Sequence, residues 1–178
     1  NKELATFAMT DALTGMPNRR ALMEEIPRMW ARAQRESHCV LLAYVDLDGF
    51  KGINDQYGHD TGDQLLMTLS RQLLAALRDS DFAARVGGDE FVMVGVGPAL
   101  AELAASTSAI AELQHRLSAA TQCDLLLPAT GLLRYPGASV GVVAIDPKTT
   151  TPEQAMLQGD AATYDIKSQR RNSSTKPC

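Results

Sequence analysis

Arg85-Val86-Gly87-Gly88-Asp89-Glu90-Phe91 is the stretch on which the fold turns. Phe82-Ala83-Ala84-Arg85-Val86 precedes it and Phe91-Val92-Met93-Val94-Gly95-Val96 follows it. Both runs have strand composition, and a Gly-Gly pair between such runs signals a tight hairpin. Glycines supply the positive φ values that such a turn takes. Asp89 and Glu90 then sit at or just past a hairpin tip. Two acids on a rigid turn make a metal or acid/base station. Taken alone they read first as a solvated turn, because acidic turns are common. A second acidic cluster shifts that balance.

The cluster spans residues 45–63, including Asp46, Asp48, Asn54, Asp55, Asp60 and Asp63. It follows Val40-Leu41-Leu42-Ala43-Tyr44-Val45, which reads as a buried strand. Asp46 and Asp48 lie at its end and share one side under period-two alternation. Mg²⁺ is commonly held by one or two carboxylates completed by substrate phosphates. Asp46 and Asp89 supply that minimal set if their strands are neighbours.

The chain has 178 residues, the size of one domain, and 45% hydrophobic residues, enough for a core. A net charge of −4 argues against a nonspecific nucleic-acid or anionic-membrane surface. A nucleotide substrate needs only local cations. Cys39, Cys123 and Cys178 are odd in number and form no metal-type pair. A reducing cytoplasm is expected, with no disulfide framework. No stretch reads as a bilayer span or a signal peptide. The chain begins at Asn1 without an initiator methionine, so a longer protein is expected, and any membrane anchor would lie in its missing N-terminal region.

Leu4, Phe7 and Ala8 have helical spacing, giving either the end of a linker helix over 1–10 or an ordered terminus. Asn18 is set to cap a helix with Leu22, Ile26, Met29 and Ala33 inward. Pro27 should kink or break it, and Ser37-His38 closes it. Asp60 and Thr61 are candidate caps for a helix burying Leu66, Leu69, Leu73 and Leu77. Pro98 is expected to open a helix with Leu103, Ile110, Leu113 and Leu117 facing inward. Leu125 to Gly137 reads as an irregular strand pair or a loop. Ala138 to Ile145 is a strand. Thr151-Pro152-Glu153 starts a last helix with Leu157, Ala161 and Tyr164 on one side. Beyond Asn172 the chain is polar and expected to fray.

Three segments in order, Asp11-Ala12-Leu13-Thr14-Gly15-Met16-Pro17-Asn18-Arg19-Arg20, Asp46 to Asp63, and Gly87-Gly88-Asp89-Glu90-Phe91, resemble the diguanylate cyclase (GGDEF) domain. The likeness extends from about Asp11 to Asn172, giving a domain over 11–172 and a tail over 173–178. It implies an α/β (α+β) fold. The central sheet would be five-stranded, mixed or antiparallel, and surrounded by helices, similar to class III nucleotide cyclases and the polymerase palm. It also implies an enzyme that condenses two GTP into cyclic di-GMP, one GTP per domain of a homodimer, with Mg²⁺ (or Mn²⁺). A sensory domain upstream is expected. The alternative is a catalytically weak module that senses GTP or cyclic di-GMP.

Residue by residue, the likeness assigns Asp46, the carbonyl of Leu47, Asp89 and Glu90 to metal. Asp89 is also the proton acceptor, and Glu90 either holds a second metal or orients the site. Asp48 is expected to be structural, turning the strand end through bonds to backbone. Asn54 and Asp63 match guanine contacts, since an amide and a carboxylate suit the edge of that base. His59 is either a substrate contact or a structural histidine, and Lys51 is either a phosphate contact or solvated. Gly87 and Gly88 lie against the substrate. Lys167 and Arg171, four apart on one helix face, match a phosphate-gripping pair. Arg170 departs from the glycine usual in the family and adds a cation at that turn. Arg78 and Asp81 match an RxxD site for the inhibitory product, where Arg stacks on and fork-bonds guanine.

Overall fold

The computed structural model describes residues 8–174. The elements are α1 (Arg19–Glu36), β1 (His38–Asp46), α2 (Phe50–Tyr57), α3 (His59–Ala75), β2 (Phe82–Arg85), β3 (Glu90–Ala99), α4 (Leu103–Ala120), β4 (Cys123–Leu127), β5 (Gly131–Tyr135), β6 (Ser139–Ile145) and α5 (Pro152–Ser174). The main sheet is antiparallel throughout, in the order β2-β3-β1-β6.

Period-two alternation along β1 builds both cores. Val40, Leu42 and Tyr44 join Val92, Val94 and Ile145 against Leu22, Ile26, Met29, Trp30 and Ala33 of α1 and Ala155 of α5. Leu41, Ala43 and Val45 join Phe91 and Met93 on the other face, against Leu65, Leu66, Leu69 and Leu73 of α3 and Leu113 and Leu117 of α4. The sheet is therefore sandwiched between two helical layers. Helix α5 lies close on β6: a Cβ on Gly141 would stand 2.3 Å from the backbone nitrogen of Thr163.

The α/β class expected from the sequence stands, but the main sheet has four strands among the described residues, not five. The segment left open as strand pair or loop is a separate antiparallel ribbon, β4–β5, with Leu125 opposite Leu133 and Leu127 opposite Gly131. Its strands satisfy one another, and one side, with Leu125, Leu127 and Tyr135, is buried.

Other expectations change for local reasons. Asn18 caps α1 as expected, its Oδ1 accepting from the amide of Ala21 at 3.0 Å. Pro27 does not end that helix. It faces solvent, where the carbonyl it leaves without a donor can be hydrated. Helix α3 starts at His59 behind Gly58 with no side-chain cap. Thr61 instead bonds the carbonyl of Tyr57 at 3.1 Å. Pro98 opens no helix; it lies in β3 beside an irregularity in the β1–β3 register between His38 and Val40. Bulges are where a sheet tolerates proline.

Thr151 and Gln154 cap α5 reciprocally, each amide donating to the other's side chain at 3.0 and 3.2 Å. The buried stripe of α5 is Ala155, Gly159 and Thr163. The expected stripe is outside, with Leu157 and Tyr164 exposed. Small residues let α5 sit close to the sheet, which hydrophobicity alone does not reveal. The helix runs two residues past Asn172, to Ser174. Residues 1–7 of the expected linker helix, 175–178 of the tail, and Cys178 lie outside the described residues. Cys39 and Cys123 are free thiols. Among the described residues no helix is long and apolar enough to cross a membrane.

Candidate active site

Strand pairing decides the central question. Asp46, the last residue of β1, is the cross-strand partner of Glu90, the first of β3, and of Ser139 on β6. The amide of Leu47 then donates to the carbonyl of Asp89 at 3.0 Å. The two acidic segments, far apart in sequence, converge at one end of the sheet. Burial first, and the charge of Asp46 next, push the Asp89 carboxyl above its ordinary value; Lys167 and Arg85 partly offset this.

The turn between β2 and β3 is braced from several sides. The amides of Val86 and Gly87 donate to the carbonyl of Glu90 at 2.9 and 3.3 Å. Arg85 donates to the carbonyl of Gly88 at 2.7 Å and to both oxygens of Asp11 at 3.0 and 3.1 Å. Asp11 also accepts from the amide and hydroxyl of Thr14 at 2.8 and 2.7 Å. Burial alone would raise its carboxyl; the Thr14 and Arg85 bonds bring it below the ordinary value. The Asp11 to Arg20 segment is thus a bracket for the acidic turn.

Neither Gly87 nor Gly88 adopts the positive φ expected of a hairpin glycine. Gly87 has another constraint: a Cβ there would lie 2.8 Å from Glu90 Oε2. That carboxylate accepts from the hydroxyl of Tyr44 at 3.1 Å. Burial first, then Glu90, push the Tyr44 phenol up to about 12, so it remains a donor at neutral pH. Tyr44 carried a signal that the sequence reading passed over, since it lies two residues before Asp46 and faces the same side.

Helix α5 supplies the cations. Lys167 Nζ stands 2.9 Å from Asp46 Oδ2. Arg171 is exposed in the last turn. Arg170 forms an ion pair with Asp48 at 3.0 Å and bonds the carbonyl of Ala138. The Asp48 carboxylate accepts from the Ser139 hydroxyl at 2.8 and 2.9 Å, and its main-chain carbonyl accepts from the Tyr135 hydroxyl at 3.0 Å. Asp48 is engaged as expected, but its carboxylate meets side chains, not backbone.

Helices α2 and α3 carry the remaining candidates. Asn54 Oδ1 is buried and has no hydrogen-bond partner in the protein. It lies against Gly62, where a Cβ would stand 1.8 Å from it. An orphaned acceptor of this kind calls for a donor from a ligand or solvent. Asp63, Lys51 and His59 are exposed nearby on the same two helices.

The donor set fits a hard divalent cation that completes its shell with phosphate oxygens: the Asp46 and Asp89 carboxylates and the Leu47 carbonyl at one strand end. Among the described residues, no three or more His, Cys, Asp or Glu side chains gather into a self-sufficient cage. Glu90 is held toward Tyr44.

Arg78 and Asp81 lie at the far end of β2. Asp81 Oδ2 accepts from the amide of Arg78 at 3.0 Å and faces its guanidinium at 3.6 Å. The Asp81 side chain is 6% exposed and that of Arg78 57%. Arg78 also lines a cavity of about 370 Å³ with Glu112 and Arg116, the latter a cation that the sequence reading did not single out.

The family model for the diguanylate cyclase, GGDEF domain, matches residues 8–173. The chain is 34% identical over 171 residues to the diguanylate cyclase DgcP of Escherichia coli (strain K12), covering 96% of this chain and 48% of the relative. It is equally 34% identical over 171 residues to the diguanylate cyclase DgcS of Shewanella oneidensis, covering 96% and 53%. It thus spans about half the length of these relatives. Among solved structures, the diguanylate cyclase SiaD of Pseudomonas aeruginosa, in complex with its activator SiaC, is similar with a TM-score of 0.78 at 32% identity, covering 95% of this chain and 62% of that one. The coiled coil and GGDEF domain of DgcB from Caulobacter crescentus, in complex with c-di-GMP, gives 0.75 at 29%, covering 94% and 85%.

Proposed function

The chain belongs to the diguanylate cyclase (GGDEF) family, and on that premise we propose that it condenses two GTP into cyclic di-GMP and two pyrophosphates. The observation that carries this reading is the convergence of Asp46 and Asp89 at one end of the sheet, where burial and the charge of Asp46 raise the Asp89 carboxyl and Lys167 pairs with Asp46. In the reaction the 3′-hydroxyl of one GTP attacks the α-phosphorus of the other, and pyrophosphate leaves. Asp89 takes the hydroxyl proton; a carboxyl raised by burial and by a like charge is a better base than an ordinary one.

Asp46, the Leu47 carbonyl, Asp89 and Glu90 are the residues that would hold Mg²⁺ or Mn²⁺. When bound, the cation supplies neutralising charge for the triphosphate and lowers the pKa of the attacking hydroxyl. Asn54 and Asp63 read the guanine, and the unpartnered Asn54 oxygen supports that role. Lys167 and Arg171 grip phosphates, Lys51 and His59 lie within the same substrate region, and Gly87-Gly88 gives the chain a low profile there.

Each domain binds one GTP, so two copies must meet face to face. Arg78 and Asp81 bind the product at a separate inhibitory position, a reading supported by the exposed guanidinium beside a buried carboxylate. The greater length of the relatives leaves room for a sensory segment in the full protein.

Incubation with GTP and Mg²⁺ tests the reading. Cyclic di-GMP should accumulate, and its rate should rise faster than linearly with protein concentration. No product at high concentration, with cyclic di-GMP still bound and binding lost in Arg78→Ala, would instead support the sensor.

A further inference from the structure

Helix α5 meets the end of β1 at three successive points. The Thr163 hydroxyl lies 3.0 Å from the carbonyl of Tyr44. Lys167 reaches Asp46, and Arg170 reaches Asp48. Helix residues at i, i+4 and i+7 share a face, and Tyr44 and Asp46 share a side of β1, with Asp48 in the turn that follows.

The outer contact is the most elaborate. Arg170 Nη1 serves both Asp48 Oδ2 and the carbonyl of Ala138. Ser139 bonds both Asp48 oxygens, and Tyr135 holds its carbonyl. Leu47, whose carbonyl the proposed reading gives to the cation, lies between the two anchored acids.

We propose that Arg170 is a positioning residue: by pinning Asp48 to α5 it fixes the strand end that presents the Asp46 carboxylate and the Leu47 carbonyl to a divalent cation. With Thr163 holding one side and Arg170 the other, Lys167 is free to exchange Asp46 for a phosphate without loosening the strand. The contact also engages Asp48, keeping a second carboxylate from competing with Asp46. Arginine suits the role because the two N–H donors of one terminal nitrogen serve two acceptors at once. The pair is partly exposed, with side chains 40% and 25% accessible, so its worth lies in placement more than in stability. This rests on the cation-binding part of the reading above and not on turnover.

The test is Mn²⁺ binding to the domain with a non-hydrolysable GTP analogue, followed by loss of the free-ion EPR signal. Arg170→Gly should weaken Mn²⁺ binding roughly tenfold, as loss of an outer partner of a metal ligand does, with little change in the thermal midpoint. Arg170→Lys should recover part of the loss. Asp48→Asn should reproduce it, and the double variant should be no weaker than the worse single one, because both remove one contact. Unchanged Mn²⁺ binding in Arg170→Gly, or two single losses that add in full, overturns the proposal. So does a loss that merely follows a collapsed melting curve and that Arg170→Lys does not relieve. A wild-type domain that binds no Mn²⁺ overturns it together with the cation site. One that binds Mn²⁺ but forms no cyclic di-GMP overturns the activity alone.

Discussion

The two ends of strand β2 are built on opposite plans. At the turn end, several polar groups are committed to the protein: Arg85 to Asp11 and Gly88, Glu90 to Tyr44, the Glu90 carbonyl to two turn amides. At the other end, Asp81 is buried while the guanidinium of Arg78 stays open to solvent. Only four residues, about 13 Å of strand, lie between. A site for chemistry needs groups held in place before substrate arrives. A site for reversible product binding keeps a cation available for stacking and fork bonding.

The widest separation between the two ends should appear in turnover. Asp89→Ala is expected to lower cyclic di-GMP formation by about 10²- to 10⁴-fold, the usual worth of a positioned acid or base. Arg78→Ala should leave the initial rate near wild type and instead weaken cyclic di-GMP binding by calorimetry. Equal losses of rate in the two variants would erase the contrast.

Stability should divide the ends next. The Arg85 and Asp11 side chains are 13% and 23% exposed, and breaking a largely buried pair costs on the order of 3 kcal/mol. Arg85→Ala should lower the denaturant midpoint accordingly, while Arg78→Ala, which removes an exposed group, should barely move it. Asp11 adds a pH dependence. Its carboxyl is lowered in the fold, so its contribution is complete above the unfolded value near pH 3.9 and is lost as pH falls through the folded one. Asp11→Asn should flatten the acid limb of the stability curve. An unchanged limb would show that the bracket does not hold the turn.

Much of this contrast could be read from the chain alone. The hairpin and the alternation of β1 follow from apolar runs separated by turn residues, whereas the convergence of Asp46 with Asp89 hung on the pairing of β1 with β3. What stayed hidden depends on partners distant in sequence. Nothing local says that Arg170 will find Asp48, and the alternation that sets Tyr44 on the side of Asp46 does not name Glu90 as its partner. The buried face of α5 was misread because Ala155, Gly159 and Thr163 carry little hydrophobicity; their smallness matters only once the sheet is known to lie against them. Pro98 was misread because the bulge that accommodates it belongs to the pairing with β1.

Within the turn itself, the two glycines should differ. A Cβ on Gly87 meets Glu90 Oε2, the mobile end of a side chain, so Gly87→Ala should fold and displace the carboxylate from Tyr44. A displacement near 1 Å costs roughly a hundredfold in rate at most. A Cβ on Gly88 meets nothing within 4 Å, so Gly88→Ala should keep the wild-type melting temperature and alter only apparent GTP affinity. Equal thermal destabilisation in both would contradict this account of the glycine pair.

The smallest effect concerns what the turn end gives up by holding Asp89 where it is. Burial and then Asp46 raise its carboxyl in the fold. The folded protein therefore binds that proton more tightly than the unfolded chain does. Ionised Asp89 costs stability, fully so above the folded pKa, and the cost disappears below the unfolded value near pH 3.9. Asp89→Asn keeps the shape and removes the charge. It should be inactive yet somewhat more stable than wild type at pH 7, with the difference closing as pH falls toward 4. Chemical denaturation at several pH values measures both curves. A variant no more stable at pH 7, or a gap that widens on acidification, would mean that burial and Asp46 do not raise the Asp89 carboxyl in the fold. Arg78→Ala, whose contact lies outside that field, should show no such pH-dependent gain.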